Sequence, residues 1–111
     1  VDVAHGLKDK GAKNIYAFLS HVVLQEKAVK KIEDSPIELL VSTDTVDCPA
    51  ARQSEKIKIL SAAPMFAEAV RHIHDRIPMS NLFDNPSRRM LTMSFERQLS
   101  MEDLRGKSML E

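Results

Sequence analysis

The chain has 111 residues, which is enough for one domain around one hydrophobic core and excludes a multidomain enzyme with separate cofactor and substrate domains. Hydrophobic residues make up 43% and charged residues 29% of the chain, which is typical of globular proteins and excludes the disordered and low-complexity classes. Sixteen basic residues balance sixteen acidic ones, so no global positive field favours a nucleic acid or an anionic membrane as partner.

The first half of the chain alternates between helical and extended patterns. Apolar residues at helical spacing end at Gly11, a residue type that often follows a helix. The apolar run 14–20 is rich in strand-forming residues and predicts a central parallel strand that is buried on both faces. The amphipathic stripe over 24–33 predicts a helix, and the short run 37–42 predicts a second strand.

The second half continues this alternation after a long irregular stretch. Residues 43–56 have no hydrophobic periodicity and are predicted to form a loop, whereas 57–60 predict a third strand. A helix capped by Ser61 should follow, because apolar residues keep a 3.6-residue period for about four turns as far as Ile77. Residues 84–111 are expected to form a flexible or partner-docked tail.

The order of these elements predicts an α/β fold in which a parallel sheet is flanked by helices. Parallel neighbours need a crossover connection, and the helices between the strands supply it. We assign residues 1–83 to this domain. Three strands are few for such a sheet, so we expect the chain to be part of a larger protein. Oligomerisation is also expected, because the incomplete sheet and the apolar Leu82-Phe83 end leave surface to be covered.

Candidate ligand-binding residues follow two of the predicted strands. In open parallel sheets, ligands bind outside the carboxyl ends of the strands. His21 could contact a phosphate, a metal ion or a partner there, or it could only hydrogen-bond nearby backbone. Thr43, Asp44 and Thr45 offer two hydroxyls and a carboxylate, although turn capping explains the same residues. These four residues are the candidate ligand-binding site.

Other chemically reactive residues are interpreted as structural. His72 and His74 lie two residues apart on a helix, so they cannot share one metal ion, and a solvated helix face is expected. The single cysteine, Cys48, excludes intramolecular disulfides and Cys-rich zinc sites and indicates a reducing compartment, so a cytoplasmic location is expected. No P-loop, dinucleotide-binding or nucleophile-elbow motif is present, and we assign no catalytic residue and no metal ligand. No apolar run is long enough to span a membrane.

Four segments of the chain, in their order, carry a resemblance to a known family. They are 4–17 with its Gly-Ala pair, 19–24 with its Ser-His turn, 41–46 with Ser-Thr-Asp-Thr, and 67–83 ending in Ser-Asn-Leu-Phe. Together they resemble the C-terminal part of the ribose-phosphate pyrophosphokinases, also called phosphoribosyl pyrophosphate synthetases. The resemblance covers residues 1–83.

The resemblance implies part of a type I phosphoribosyltransferase-like fold and an enzyme that transfers pyrophosphate from Mg-ATP to ribose 5-phosphate. The family's acidic pentose-phosphate loop and catalytic flap would lie before Val1. This chain would therefore be an inactive scaffold and subunit contact that binds neither Mg nor ATP alone. Its partners would be the rest of the synthetase chain or sister subunits of a homo-oligomer. Ser80 and Phe83 match an allosteric, interface segment of the family, but Pro78 replaces its first serine.

Two other functions stay open. The missing acidic loop and the Met-rich tail favour a non-catalytic, synthetase-associated module that docks onto active subunits and regulates them. Alternatively, the chain is a small phosphate-binding domain that uses His21 and residues 43–45, which predicts thermal stabilisation by phosphate.

Overall fold

The structure is a computed structural model that describes residues 1–83 and 96–99. Within these residues, helices and strands alternate and are followed by one 3₁₀ turn, Met79–Leu82. In chain order they are α1 (Asp2–Asp9), β1 (Tyr16–His21), α2 (Glu26–Glu33), β2 (Leu39–Thr43), α3 (Pro49–Arg52), β3 (Ile57–Leu60) and α4 (Ala63–His74). The helices of the described residues are too short and too polar to cross a bilayer.

The strands form a parallel sheet in the order β1-β2-β3. Phe18 of β1 lies opposite Val41 of β2, which in turn lies opposite Lys58 of β3. Helix α2 connects β1 to β2 and helix α3 connects β2 to β3, as parallel neighbours require. The predicted α/β class, with a parallel sheet and flanking helices, is therefore confirmed.

The main hydrophobic core lies on one face of the sheet. Leu40 of β2 and Ile57 of β3 belong to it, together with Val29 and Ile32 of α2. Side chains alternate between the two faces of a strand, so the neighbours of Leu40 lie on the opposite face. There they form a second, smaller cluster of three buried residues, Leu39, Val41 and Leu60. Strand β2 is thus buried on both faces.

Strand β1 lies at an edge of the described sheet. Its last four residues are exposed, and the Phe18 side chain is 64% accessible to solvent. The prediction that this apolar run is a central strand buried on both faces is therefore wrong for the described residues. The physical reason is that β2 pairs with only one side of β1, and that no described element covers the side chains of its last four residues.

Two other elements differ locally from their predictions. The stretch 43–56 contains the short helix α3, which begins at Pro49, a residue type that is favoured in the first helical turn. Helix α4 has Ala62, and not Ser61, as its N-cap residue. The Ser61 hydroxyl nevertheless accepts the Ala63 N–H at 3.2 Å. Ser61 therefore still supports the start of the helix.

Helix α4 exposes its apolar stripe and buries polar residues. Phe66, Val70 and Ile73 are 55%, 65% and 70% exposed, whereas Glu68 and His72 are buried. The expectation of a solvated helix face is therefore wrong for His72. The periodicity predicted the helix correctly, but it could not show that the apolar side lacks a covering partner in the described part of the chain.

Helix α4 ends in a Schellman motif. Arg76 adopts the left-handed conformation with φ +56°, and its N–H donates to the Ile73 carbonyl at 3.3 Å. The Ile77 N–H donates to the His72 carbonyl at 2.9 Å, which completes the motif. The chain then turns into the 3₁₀ segment. Expectations for residues 84–95 and 100–111 fall outside the described residues.

Candidate ligand-binding site

The carboxyl ends of β1 and β2 bring three of the predicted site residues together. His21 and Thr43 are partners in the strand register. The Nδ1 atom of His21 lies 2.6 Å from Oγ1 of Thr45, and the same oxygen lies 2.8 Å from Oγ1 of Thr43. Neighbouring parallel strands end side by side, so residues 22 to 24 positions apart in sequence become neighbours.

The Ser20 carbonyl fixes the two threonine side chains. It accepts the Thr43 hydroxyl at 2.6 Å and the Thr45 hydroxyl at 3.2 Å. The Thr45 oxygen thus contacts the Ser20 carbonyl, the Thr43 hydroxyl and the His21 ring, and which atom donates in the last two contacts depends on the hydroxyl rotamers and the imidazole tautomer. This cluster is exposed to solvent.

Asp44 connects this edge to the end of β3. Its Oδ1 accepts the Ala62 N–H at 2.8 Å, and its own N–H donates to the Leu60 carbonyl at 3.0 Å. The hydrogen bond from the Ala62 N–H, followed by that from the Ser61 hydroxyl, holds the pKa of the Asp44 carboxyl below its usual value. Asp44 is therefore ionised at neutral pH and holds the ends of β2 and β3 together.

A shallow cavity borders this cluster. Its volume is about 270 Å³, and it is lined by Phe18, Leu19, Ser20, Val41, Ser42, Thr43 and Leu60. The hydroxyl of Ser42 is buried and has no hydrogen-bond partner among the described residues. The site thus combines exposed hydroxyl and imidazole groups, which bind phosphate or sugar oxygens, with an adjoining apolar surface.

The described residues contain no preformed cluster of metal-ligating side chains. Mg²⁺ prefers several oxygen ligands, among them carboxylates. Among residues 1–83 and 96–99, no three His, Cys, Asp or Glu side chains lie close enough together to hold a metal ion. Cys48 is a free thiol whose Sγ donates to the Leu24 carbonyl at 3.3 Å, so it belongs to the packing of the core.

The predicted interface residues Ser80 and Phe83 lie on the 3₁₀ turn and directly after it. The Phe83 N–H donates to the Ser80 carbonyl at 3.0 Å, and both side chains are exposed. The Phe83 ring is 75% accessible. The structure therefore places the two residues on one surface turn. None of the hydrogen bonds of the His21 cluster involves this turn.

A polar network on α4 was missed by the sequence reasoning. The Arg71 guanidinium hydrogen-bonds both carboxylate oxygens of Glu68, and Nε2 of His72 lies 3.3 Å from the same carboxylate. The Arg71 hydrogen bond, more than any other cause, lowers the pKa of Glu68 and raises that of Arg71. The spacing i, i+3, i+4 of these residues was the available signal.

Comparison with known proteins assigns most of the chain to a protein family. Residues 1–84 match the model of the phosphoribosyl synthetase-associated domain. Three similar proteins are ribose-phosphate pyrophosphokinases. That of Clostridium tetani is 44% identical over 81 residues, that of Caldanaerobacter subterraneus 43% over 83, and ribose-phosphate pyrophosphokinase 1 of Lactococcus lactis 46% over 81.

The alignments cover 73–75% of this chain but only 25–26% of each relative. The chain therefore spans about a quarter of the length of the curated relatives it matches. The matched residues contain the whole described sheet, the His21 cluster and helix α4. The chain thus belongs to the phosphoribosyl synthetase-associated domain family.

Proposed function

We propose that this chain is the C-terminal portion of a ribose-phosphate pyrophosphokinase, which transfers pyrophosphate from ATP to ribose 5-phosphate. The observation that carries the proposal is the family match over residues 1–84, together with relatives of that name at 43–46% identity. Within the enzyme, this region serves as scaffold and subunit contact. In this proposal, ATP and Mg²⁺ are bound by other parts of the protein.

The open edge of β1 supports the scaffold role. Its outer backbone groups have no described partner strand, and its apolar side chains are exposed. Edge strands of this kind pair readily with further polypeptide. We therefore propose that the remainder of the synthetase chain completes the sheet at β1.

A chimera tests the enzymatic proposal. The aligned region of the Clostridium tetani relative is replaced by residues 1–83 of this chain, and AMP formation from ATP and ribose 5-phosphate is measured. The expected result is a soluble, active chimera, whereas the relative lacking that region forms no AMP. The isolated 111-residue chain should also form none. A soluble but inactive chimera would contradict the proposal.

The same assay separates the enzyme from the regulatory alternative. A synthetase-associated module would change the activity of an intact pyrophosphokinase when it is added in trans. The scaffold proposal expects no such change, because the intact enzyme already contains its own copy of this region. A dose-dependent change would favour the module.

For the carboxyl edge, we propose a phosphate-bearing ligand bound by His21, Thr43 and Thr45, with Asp44 positioning the turn. The hydroxyls and the imidazole converge within hydrogen-bond distance of one another. Inorganic phosphate at millimolar concentration should raise the melting temperature of the chain. The Thr45→Val variant keeps the side-chain shape and should lose this effect, and His5→Ala is the control because His5 is exposed on α1. Equal shifts in all three proteins would contradict the proposal.

We also propose that the chain self-associates in a homo-oligomer through α4. The exposed stripe of Phe66, Val70 and Ile73 lies on the helix that contacts the turn carrying Ser80 and Phe83. An exposed row of large apolar side chains is typical of subunit contacts.

We also propose a cytoplasmic location, because the buried thiol of Cys48 is free and free thiols persist in reducing compartments.

A further inference from the structure

Leu99 lies on the sheet face opposite the main core. Leu99 packs against the cluster of Leu39, Val41 and Leu60, whose side chains are only 4%, 4% and 7% exposed. Tyr16 packs on the same cluster from β1. The face is apolar and would be costly to leave in water, so the contact with Leu99 is favourable.

Gln98 makes two hydrogen bonds to a single backbone residue. The Ser61 N–H donates to Oε1 of Gln98, and Nε2 of Gln98 donates to the Ser61 carbonyl at 3.1 Å. A side-chain carboxamide carries the same donor and acceptor groups as a peptide unit. Gln98 therefore binds Ser61 in the way that a neighbouring strand would.

The position of Ser61 explains why a strand mimic fits there. Leu60 pairs with Thr43 of β2, so the next residue directs its backbone groups away from β2. On that side, β3 has no neighbouring strand among the described residues. The Gln98 carboxamide thus satisfies backbone groups at an otherwise open sheet edge.

The contacts of Leu99 and Gln98 together restrict which side chains fit this surface. The packing of Leu99 is apolar and not directional, whereas the two hydrogen bonds of Gln98 fix the position of the segment on the sheet. A glutamate in place of Gln98 would keep an acceptor for the Ser61 N–H but would lose the donor to the Ser61 carbonyl.

The docked segment also lies next to the candidate ligand site. The Ser61 hydroxyl bonds to Asp44, whose carboxylate holds the Ala62 N–H. Docking of Gln98 therefore restrains the same turn that Asp44 ties to β2. Residues 96–99 lie outside the family match, which ends at residue 84.

We propose that the cluster of Leu39, Val41 and Leu60, together with the Ser61 backbone, is a docking surface for a short segment in which glutamine precedes leucine. Residues 96–99 of the same chain occupy this surface in cis. The proposal is independent of the enzymatic function proposed above, because it concerns only contacts within this chain.

Amide hydrogen exchange of the full chain, measured by NMR, tests the proposal. The Ser61 amide should be protected in the unmodified chain and should exchange about tenfold faster in both Leu99→Ala and Gln98→Met, which keeps the side-chain length but lacks the acceptor for the Ser61 N–H. Arg97→Ala is the matched control, because Arg97 is exposed next to the docked pair, and it should leave Ser61 exchange unchanged. The Leu40 amide, which bonds to the Lys56 carbonyl at 2.8 Å, reports global opening and should not change in any variant.

Two outcomes would overturn the proposal. One is an unmodified chain in which Ser61 already exchanges as fast as in Gln98→Met. The other is Ser61 protection that decreases on dilution, since docking in cis does not depend on protein concentration whereas docking from a second copy does. Concentration-independent protection that both docking variants remove would support docking in cis.

Discussion

His72 and Glu68 form a buried pair across one turn of α4, with Nε2 of the imidazole 3.3 Å from Oε1 of the carboxylate. The other ring nitrogen, Nδ1, lies 3.2 Å from the Pro78 carbonyl oxygen. The ring is 1% exposed. It therefore joins the helix to the turn that carries Ser80.

Replacing His72 by alanine should destabilise the fold. The substitution removes a buried ring and both of its hydrogen bonds, so we expect a loss on the order of 2 kcal/mol in the free energy of unfolding, measured by urea denaturation. His74→Ala is the control on the same helix, because its side chain is 86% exposed, and it should change stability by no more than about 0.5 kcal/mol. Equal effects of the two variants would contradict the buried network.

The Glu68 carboxylate should make the free energy of unfolding depend on pH. Its pKa is lowered from the ordinary value of 4.5 by the Arg71 hydrogen bond, so its contribution is present above that value and is lost as the pH falls through the folded-state pKa. The stability difference between the unmodified chain and Glu68→Gln should therefore be constant near neutral pH and should shrink as the pH falls below 4.5. Urea denaturation at several pH values measures this difference. A difference that does not change with pH would contradict the assignment.

Sequence reasoning predicted the elements and their order because hydrophobic periodicity is a local property. The strand ending at His21 and the helix containing Val70 were both predicted from this signal. The burial of a side chain depends on what packs against its element, and the local hydrophobic pattern does not predict that packing. For this reason Phe18 was expected to be buried and His72 exposed, whereas the structure shows the reverse.

The candidate site was predictable because parallel strands end at one edge. That rule placed His21 near Thr43 and Thr45 without any structural information. The contact between Gln98 and Ser61 could not be predicted, since a side chain that imitates a strand leaves no periodic signal in the sequence. Whether the His21 cluster binds a ligand stays a prediction.

Two adjacent valines give a sharp test of the core. Val22 is 1% exposed and belongs to the main core, whereas Val23 is 77% exposed. Val22→Ala should lower the free energy of unfolding by about 2 kcal/mol, through lost transfer energy and a residual cavity. Val23→Ala should change it by no more than about 0.5 kcal/mol. Denaturant unfolding of both variants checks the prediction, and similar losses would contradict the register of this segment.

The left-handed residue after α4 offers a stabilising substitution. Arg76 has φ +56°, a conformation in which a β-carbon is unfavourable. Arg76→Gly should raise the free energy of unfolding by about 0.5–1 kcal/mol, because the relief of strain exceeds the entropy cost of glycine. Gly11→Ala is the reverse experiment, since Gly11 has φ +92° with open space around it, and it should destabilise the chain. A loss of stability in Arg76→Gly would contradict the prediction.

The exposed stripe of α4 should control self-association. Val70→Asp places a charge in the stripe and should shift the chain towards monomer in sedimentation-velocity experiments, with little effect on folding because Val70 is 65% exposed. Val3→Asp is the control, since Val3 is a 77% exposed valine on α1. An oligomer that persists in Val70→Asp, or that is lost equally in Val3→Asp, would contradict a contact through α4.

The side of β1 that no described strand covers also has a practical consequence for handling the protein. A bare strand with exposed residues such as Phe18 and Leu19 can template intermolecular cross-β stacking. Concentrated preparations of the chain should therefore develop thioflavin-positive fibrils, and the Phe18→Lys substitution should delay their appearance.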